Sequence, residues 1–230
     1  MEKLLKFCKN CPLHLLKHCL YAILSMKSYY CSIINPQRYK KLHKIIYSSP
    51  NKIDWDAQSA FKITNYYTDL EDHMIFCYLK QYLNNGCLKL CSFCFDSLAV
   101  GKNDLQLCFN LNPSKQHGFI HLEFGIDGIS SAVFFNPSTN SQYPIELSDI
   151  EYSSFKTNDQ QGYYWCGEIT LSASFIEKYF HTSLSEKSII LLNFYKIFPG
   201  SSDHACLFAD PNNILCEKHK YMEEFVILNY

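Results

Sequence analysis

The stretch GFIHLEFGIDGISSAVFFNPSTN, residues 118–140, decides the fold class. Phe119, His121 and Glu123 alternate with Ile120, Leu122 and Phe124. Period-two alternation sends successive side chains to opposite faces of a strand. Asp127-Gly128 then supplies turn chemistry, Ser131–Asn136 reads as a second strand, and Pro137–Asn140 as a second turn.

The same rhythm extends outward in both directions. Upstream, strands are expected at Lys41–Tyr47, Met74–Lys80, Cys87–Phe95 and Leu105–Asn110, with Ala60–Tyr66 as a further strand or an irregular edge. Asn84-Asn85-Gly86 marks a hairpin turn, and Ser48-Ser49-Pro50-Asn51 another turn. Downstream, strands are expected at Gly162–Leu171, Ser188–Lys196 and Glu224–Leu228, with one short helix over Ala173–Phe180. Short strands separated by turns, without ~10–15-residue helices between them, predict an antiparallel β-sandwich with jelly-roll or immunoglobulin-like layers. Residues 1–36 carry Leu4, Leu5, Cys8, Cys11, Leu15, Cys19 and Ile23 at helical spacing, interrupted by Pro12. The expected organisation is therefore a helical extension over 1–36 and a β-domain over 37–230.

Composition bounds the function. Of 230 residues, 47% are hydrophobic and 16% aromatic, enough for a large core and too apolar for a disordered chain. The formal net charge is −1, without the basic excess that displaces counterions from nucleic acid. The basic run Arg38, Lys40, Lys41, His43 and Lys44 reads as a solvated segment, so no nucleic-acid partner is expected. No stretch approaches the ~20 apolar residues of a membrane helix, and Leu20–Leu24 is shorter than a secretory core of ~7–15 residues. No membrane partner is expected, and the 12 cysteines read as reduced thiols of a cytoplasmic protein.

Motifs for catalysis are weak. There is no Gly-x-Ser-x-Gly elbow and no phosphate-cradling glycine loop. Cys8-x-x-Cys11 and Cys91-x-x-Cys94 are too far apart for a compact zinc ribbon. An odd spacing also sends Cys91 and Cys94 to opposite faces of a strand. Cys8, Cys11, His14, His18 and Cys19 form a more local cluster, but no metal is assigned to it. Glu123 and Glu168 would run glycoside hydrolysis only if they faced each other at roughly 5–9.5 Å. Alternation places Trp165 with Gly167, Ile169 and Leu171 on a core face, and Tyr164, Cys166, Glu168 and Thr170 on the other. A face built from His121, Glu123, Tyr164, Glu168, Asn193 and Tyr195 offers rings for a sugar's C–H surface and polar groups for its hydroxyls.

The order of segments resembles the family 9-like carbohydrate-binding modules, β-sandwiches related to DOMON-type domains. The resemblance covers about residues 37–230. It is carried by Lys52-Ile53-Asp54-Trp55, the strand Cys87–Phe95 and His121-Leu122-Glu123-Phe124-Gly125. Further on come Tyr164-Trp165-Cys166-Gly167-Glu168-Ile169 and Leu192-Asn193-Phe194-Tyr195-Lys196, followed by His204, Phe208, Pro211, His219 and Phe225. Phe208 stands where Trp is usual. The resemblance implies non-catalytic carbohydrate binding, often linked to carbohydrate catabolism, with Tyr164, Glu168, Asn193, Tyr195 and His204 as contacts and Glu123 in support. Some members hold calcium; no clustered Asp/Glu loop supports it here, so no cofactor is assigned. A degenerate sandwich serving as a protein-interaction or structural domain with no sugar site is the alternative, followed by a hydrolase using Glu123 and Glu168. The oligomeric state is not legible.

Overall fold

A computed structural model describes residues 44–51, 55–67, 76–96, 105–115, 118–158, 163–197, 204–209 and 221–229. The chain divides into two units, Met1–Lys44 and Ile45–Tyr230, and the second holds the β-structure. The expected helical extension over 1–36 lies outside the described residues, as does the start of the strand expected at Lys41.

The fold is mostly β. Its strands are β1 (Ile45–Ser49), β2 (Phe61–Lys62), β3 (Asn65–Tyr67), β4 (Phe76–Asn84), β5 (Cys87–Asp96), β6 (Leu105–Asn110) and β7 (Phe119–Gly125). They continue as β8 (Gly128–Asn136), β9 (Ser141–Pro144), β10 (Ile150–Asn158), β11 (Tyr163–Leu171), β12 (Ile189–Ile197), β13 (His204–Cys206) and β14 (Glu223–Asn229). The helix α1 (Ala173–Phe180) falls where it was expected.

The strands form one continuous sheet whose main path runs β10-β11-β5-β4-β1-β14-β12-β6-β7-β8-β9, with β2 pairing β4 and β13 pairing both β12 and β3. The expectation of a wholly antiparallel arrangement is corrected at β1, which pairs parallel with both β4 and β14. A parallel neighbour needs a long connection. The chain between Ser49 and Phe76 supplies one, and β14 arrives from the far end of the chain. Among the described residues, three strands were not anticipated. β9 is exposed throughout and β13 is three residues long. In β10 the polar run Glu151, Ser153, Ser154, Lys156 and Thr157 masks the inward Ile150 and Tyr152.

Local chemistry sets the corners. Asn85 and Gly86 have φ of 48° and 77°, the positive pair that a tight β4–β5 hairpin requires. Asn84 Nδ2 donates to the carbonyls of Ser49, Pro50 and Asn51, binding the end of β1 to that hairpin. Ser172 Oγ accepts from the Phe175 amide at 3.1 Å and starts α1. His181 ends it in the left-handed region at φ 51°. Phe175, Ile176, Tyr179 and Phe180 recur at helical spacing and turn the buried face of α1 inward.

The sheet curls until β10 approaches the β7–β8 turn. There Tyr152 donates its hydroxyl to the Gly125 carbonyl at 2.6 Å, and Ser154 donates to that of Ile126 at 2.8 Å. The enclosed core contains Phe109, Phe124, Phe134, Phe180, Phe194 and Phe225, each at most 1% exposed. Gly118 is a packing requirement of this core. A β-carbon there would lie 2.3 Å from two ring atoms of Phe134. Gly118→Ala is expected to lower stability by roughly 1–3 kcal/mol, as overpacking does. Thermal unfolding of that variant checks it, and an unchanged midpoint contradicts the packing described.

Candidate functional site

The sheet register determines which side chains share a face, because residues directly opposite each other point the same way. On β11, Trp165, Ile169 and Leu171 are buried inward. Tyr164, Cys166, Glu168 and Thr170 therefore face outward, beside Phe95, Phe93, Cys91 and Lys89 of β5. Tyr78, Lys80 and Tyr82 of β4 continue this outer face on one side, and Phe155 of β10 on the other.

Rings dominate one end of the face. Tyr164 lies 4.9 Å from Phe95, and Tyr78 lies 5.8 Å from Phe93. Phe155 is 67% exposed, an unusual position for a phenyl ring. Lys80 Nζ stands 5.6 Å from the centre of the Phe93 ring. The other end is polar and tightly held. Trp55, in a 3-10 turn spanning Trp55–Ala57, donates its indole N–H to Glu168 Oε1 at 2.8 Å. Its ring packs edge-on against Tyr82 at 4.8 Å, and its carbonyl accepts from Lys80 Nζ at 2.8 Å. Lys89 Nζ donates to Thr170 Oγ1 at 2.9 Å.

Beside Glu168 lie two thiols. Cys91 Sγ and Cys166 Sγ are 3.4 Å apart, and Cys91, Cys166 and Glu168 present ligand atoms all within 4.8 Å of one another. The thiol–thiol contact holds the Cys91 proton well above its ordinary range, with burial adding to the effect. The same contact holds Cys166 below its ordinary range. Burial, and then the nearby charge of Glu168, push the Tyr82 phenol up. Cys94, three residues after Cys91, points into the core instead, with its sulfur 3.0 Å from that of Cys77. The two cysteines of this Cys-x-x-Cys stand on opposite faces, as their odd spacing requires.

Glu123, Asn193, Tyr195 and His204 lie elsewhere. Register places Asn193 beside Cys108 and His121, and Tyr195 beside Gln106 and Glu123, on the side of β12, β6 and β7 away from the main core. Glu123 is half-buried and accepts from Gln106 Nε2 at 3.0 Å, with His121 Nε2 4.0 Å away. Asn193, Tyr195 and His204 are buried, at 0%, 4% and 5% exposure. Asn193 ties three chain segments together. Its Nδ2 donates to the Phe208 and Tyr221 carbonyls and the Tyr195 hydroxyl, and its Oδ1 accepts from the Phe194 and Phe208 amides. The single polar-aromatic face expected from alternation is thus two faces. Tyr164 and Glu168 are separated from Asn193 and Tyr195 by β5, β4, β1 and β14 along the sheet. Glu123 and Glu168 likewise do not meet across a cleft, each being turned away from the common core.

Sequence alternation placed Tyr164 and Glu168 on an outer strand face, but three features of that face were missed. These are Phe155, the anchoring of Glu168 by Trp55, and the meeting of Cys91 with Cys166. Cys166-x-Glu168 at strand spacing was the available signal, but only the pairing of β11 with β5 brings Cys91 beside it.

No protein-family model matches the chain, and no curated protein matches it. Solved structures do. A family 9 carbohydrate-binding module from Caldicellulosiruptor kristjanssonii in complex with cellotriose aligns with TM-score 0.55 and 11% identity, over 81% of this chain and 95% of that one. A family 9 module from the same organism in complex with glucose aligns with TM-score 0.50 and 11% identity, over the same shares of the two chains. A protein of Bacteroides uniformis, proposed to be carbohydrate-binding, aligns with TM-score 0.57 and 10% identity, over 80% of this chain and 97% of that one. In fold, then, the chain is similar to family 9 carbohydrate-binding modules, as its segment order suggested, at 10–11% sequence identity.

Proposed function

We propose that the curled sheet is a two-layered carbohydrate-binding sandwich that holds an oligosaccharide, without cleaving it, on the outer face of β10, β11, β5 and β4. The observation that carries this reading is the row of rings Phe155, Tyr164, Phe95, Phe93 and Tyr78 beside Glu168 and Lys80. Aromatic faces suit the C–H surface of a pyranose, while a carboxylate and an ammonium suit its hydroxyls. The fold neighbours in complex with cellotriose and glucose supply the ligand class. Tyr164 is the stacking ring in this reading, and Glu168, oriented by Trp55, is a hydroxyl acceptor. Asn193, Tyr195 and His204, at 5% exposure or less, act by holding β12, β13 and the approach to β14 in place.

Tyr164→Ala is expected to weaken binding to a cello-oligosaccharide on the order of tenfold, about 1.4 kcal/mol, with the folded state retained. Tyr195→Phe is expected to leave that affinity unchanged while lowering stability. Calorimetric titration after a glycan-array screen measures the affinities, and thermal unfolding the stability. An array that binds no glycan, or a Tyr164→Ala chain that binds as tightly as the parent, removes the reading.

A further inference from the structure

We infer that Cys91, Cys166 and Glu168 form a binding site for a zinc-class ion on the outer face of β5 and β11. The register builds it: Cys91 and Glu168 are directly opposite, and Cys166 is two residues along the same strand, so all three point to one side of the sheet. Their ligand atoms lie within 4.8 Å of one another. The sulfur–sulfur distance of 3.4 Å is already near the separation of about 3.8 Å that two Zn–S bonds impose in a tetrahedron.

The donor set selects the metal. Two thiolates exclude the hard cations calcium and magnesium, which take oxygen ligands. Two sulfurs with one carboxylate oxygen suit Zn²⁺, a borderline ion. Three protein ligands leave the fourth position to water. The indole N–H of Trp55 on Glu168 Oε1 is the kind of outer hydrogen bond that orients a ligating carboxylate. On binding, two Zn–S bonds form and any thiol proton held by the pair passes to water; nothing is oxidised or reduced. This site is separate from the local Cys8, Cys11, His14, His18 and Cys19 cluster, which lies outside the described residues.

The test is titration of the full chain, chemically reduced, with Co²⁺ and then Zn²⁺, in the absence of sugar. Because the sugar reading shares only Glu168 and its partner Trp55 with this site, either can fail alone. One equivalent of Co²⁺ is expected to give thiolate-to-cobalt charge-transfer absorption that Zn²⁺ abolishes. Cys91→Ser combined with Cys166→Ser should lose that equivalent, and Cys8→Ser combined with Cys11→Ser should keep it. Trp55→Phe should weaken affinity 10–100-fold, the usual range for a lost outer partner, and Glu168→Gln by at least as much. If the double cysteine variant does not fold, judged by circular dichroism, the Trp55 and Glu168 variants carry the test alone. The inference is overturned if the charge-transfer band survives in a folded Cys91/Cys166 variant. It is overturned equally if the Trp55 and Glu168 variants bind like the parent, or if mass mapping of the isolated chain finds Cys91 and Cys166 joined as a disulfide.

Discussion

Asn193→Ala is expected to lower the stability of the folded chain by roughly 3–5 kcal/mol, making it one of the most damaging single changes available. The side chain is fully buried and its amide satisfies groups from three segments. Its orientation is unambiguous. The Phe194 and Phe208 amides only donate and the Phe208 and Tyr221 carbonyls only accept, so Oδ1 and Nδ2 have one workable assignment. Truncation leaves the Phe208 N–H and C=O and the Tyr221 C=O without that partner. Each partly buried group that loses such a bond costs about 1–3 kcal/mol, less what water recovers and what remains of the Tyr195 hydroxyl on the Tyr221 carbonyl and the Cys206 thiol on the Phe208 carbonyl. Asn193→Asp is expected to be little better, because it keeps the acceptor but places an acceptor where donors are needed. Urea unfolding measures both. A loss below about 1 kcal/mol for Asn193→Ala would show that the clamp does not hold the segments around Phe208 and Tyr221.

The second large effect concerns Trp165. Trp165→Ala is expected to cost about 3–5 kcal/mol through lost burial and an unfilled cavity. The indole is 2% exposed. It lies against Gly167, where an added β-carbon would sit 3.3 Å from the Trp165 ring and 2.8 Å from the Tyr152 hydroxyl. Register sets it beside Cys94, whose sulfur meets that of Cys77. Its neighbour in sequence, Tyr164, faces the other way, so the two substitutions should separate cleanly. Trp165→Ala should lower the unfolding midpoint without changing the affinity per folded molecule. Tyr164→Ala should do the reverse. Trp55 and Trp165 are the only tryptophans, so emission of Trp165→Ala reports Trp55 alone and shows whether the outer face survives. If Trp165→Ala abolishes binding while leaving the midpoint in place, the assignment of Trp165 to the core fails.

The contrast between these neighbours shows what was legible in the sequence. Alternation along Tyr163–Leu171 assigned Trp165 inward and Tyr164 and Glu168 outward, and both assignments hold in the structure. The hairpin at Asn85-Gly86 and the helix Ala173–Phe180 were legible for the same reason: turn chemistry and helical period are properties of adjacent residues. β10 was not legible, because an edge strand with one solvated face carries only a weak apolar signal in Ile150 and Tyr152.

The candidate site divides along the same line. Asn193 and Tyr195 looked like ligand contacts because polar and aromatic side chains alternate with Leu192 and Phe194. The structure covers that side of β12 with Cys206, Met222 and the backbone of Phe208 and Tyr221, so a strand face expected to be exposed is buried on both sides. Period-two pattern distinguishes two faces of a strand but cannot tell solvent from a second layer of protein. The residue-by-residue alternation of Phe119–Phe124, and with it the mostly β class, follows from sequence alone because it depends on the pleat of a single strand. Which strands stand side by side depends on contacts between residues far apart in the chain. That pairing is what makes β1 parallel to both neighbours, separates Glu123 from Glu168, and brings Cys91 to Cys166 across 75 residues of sequence.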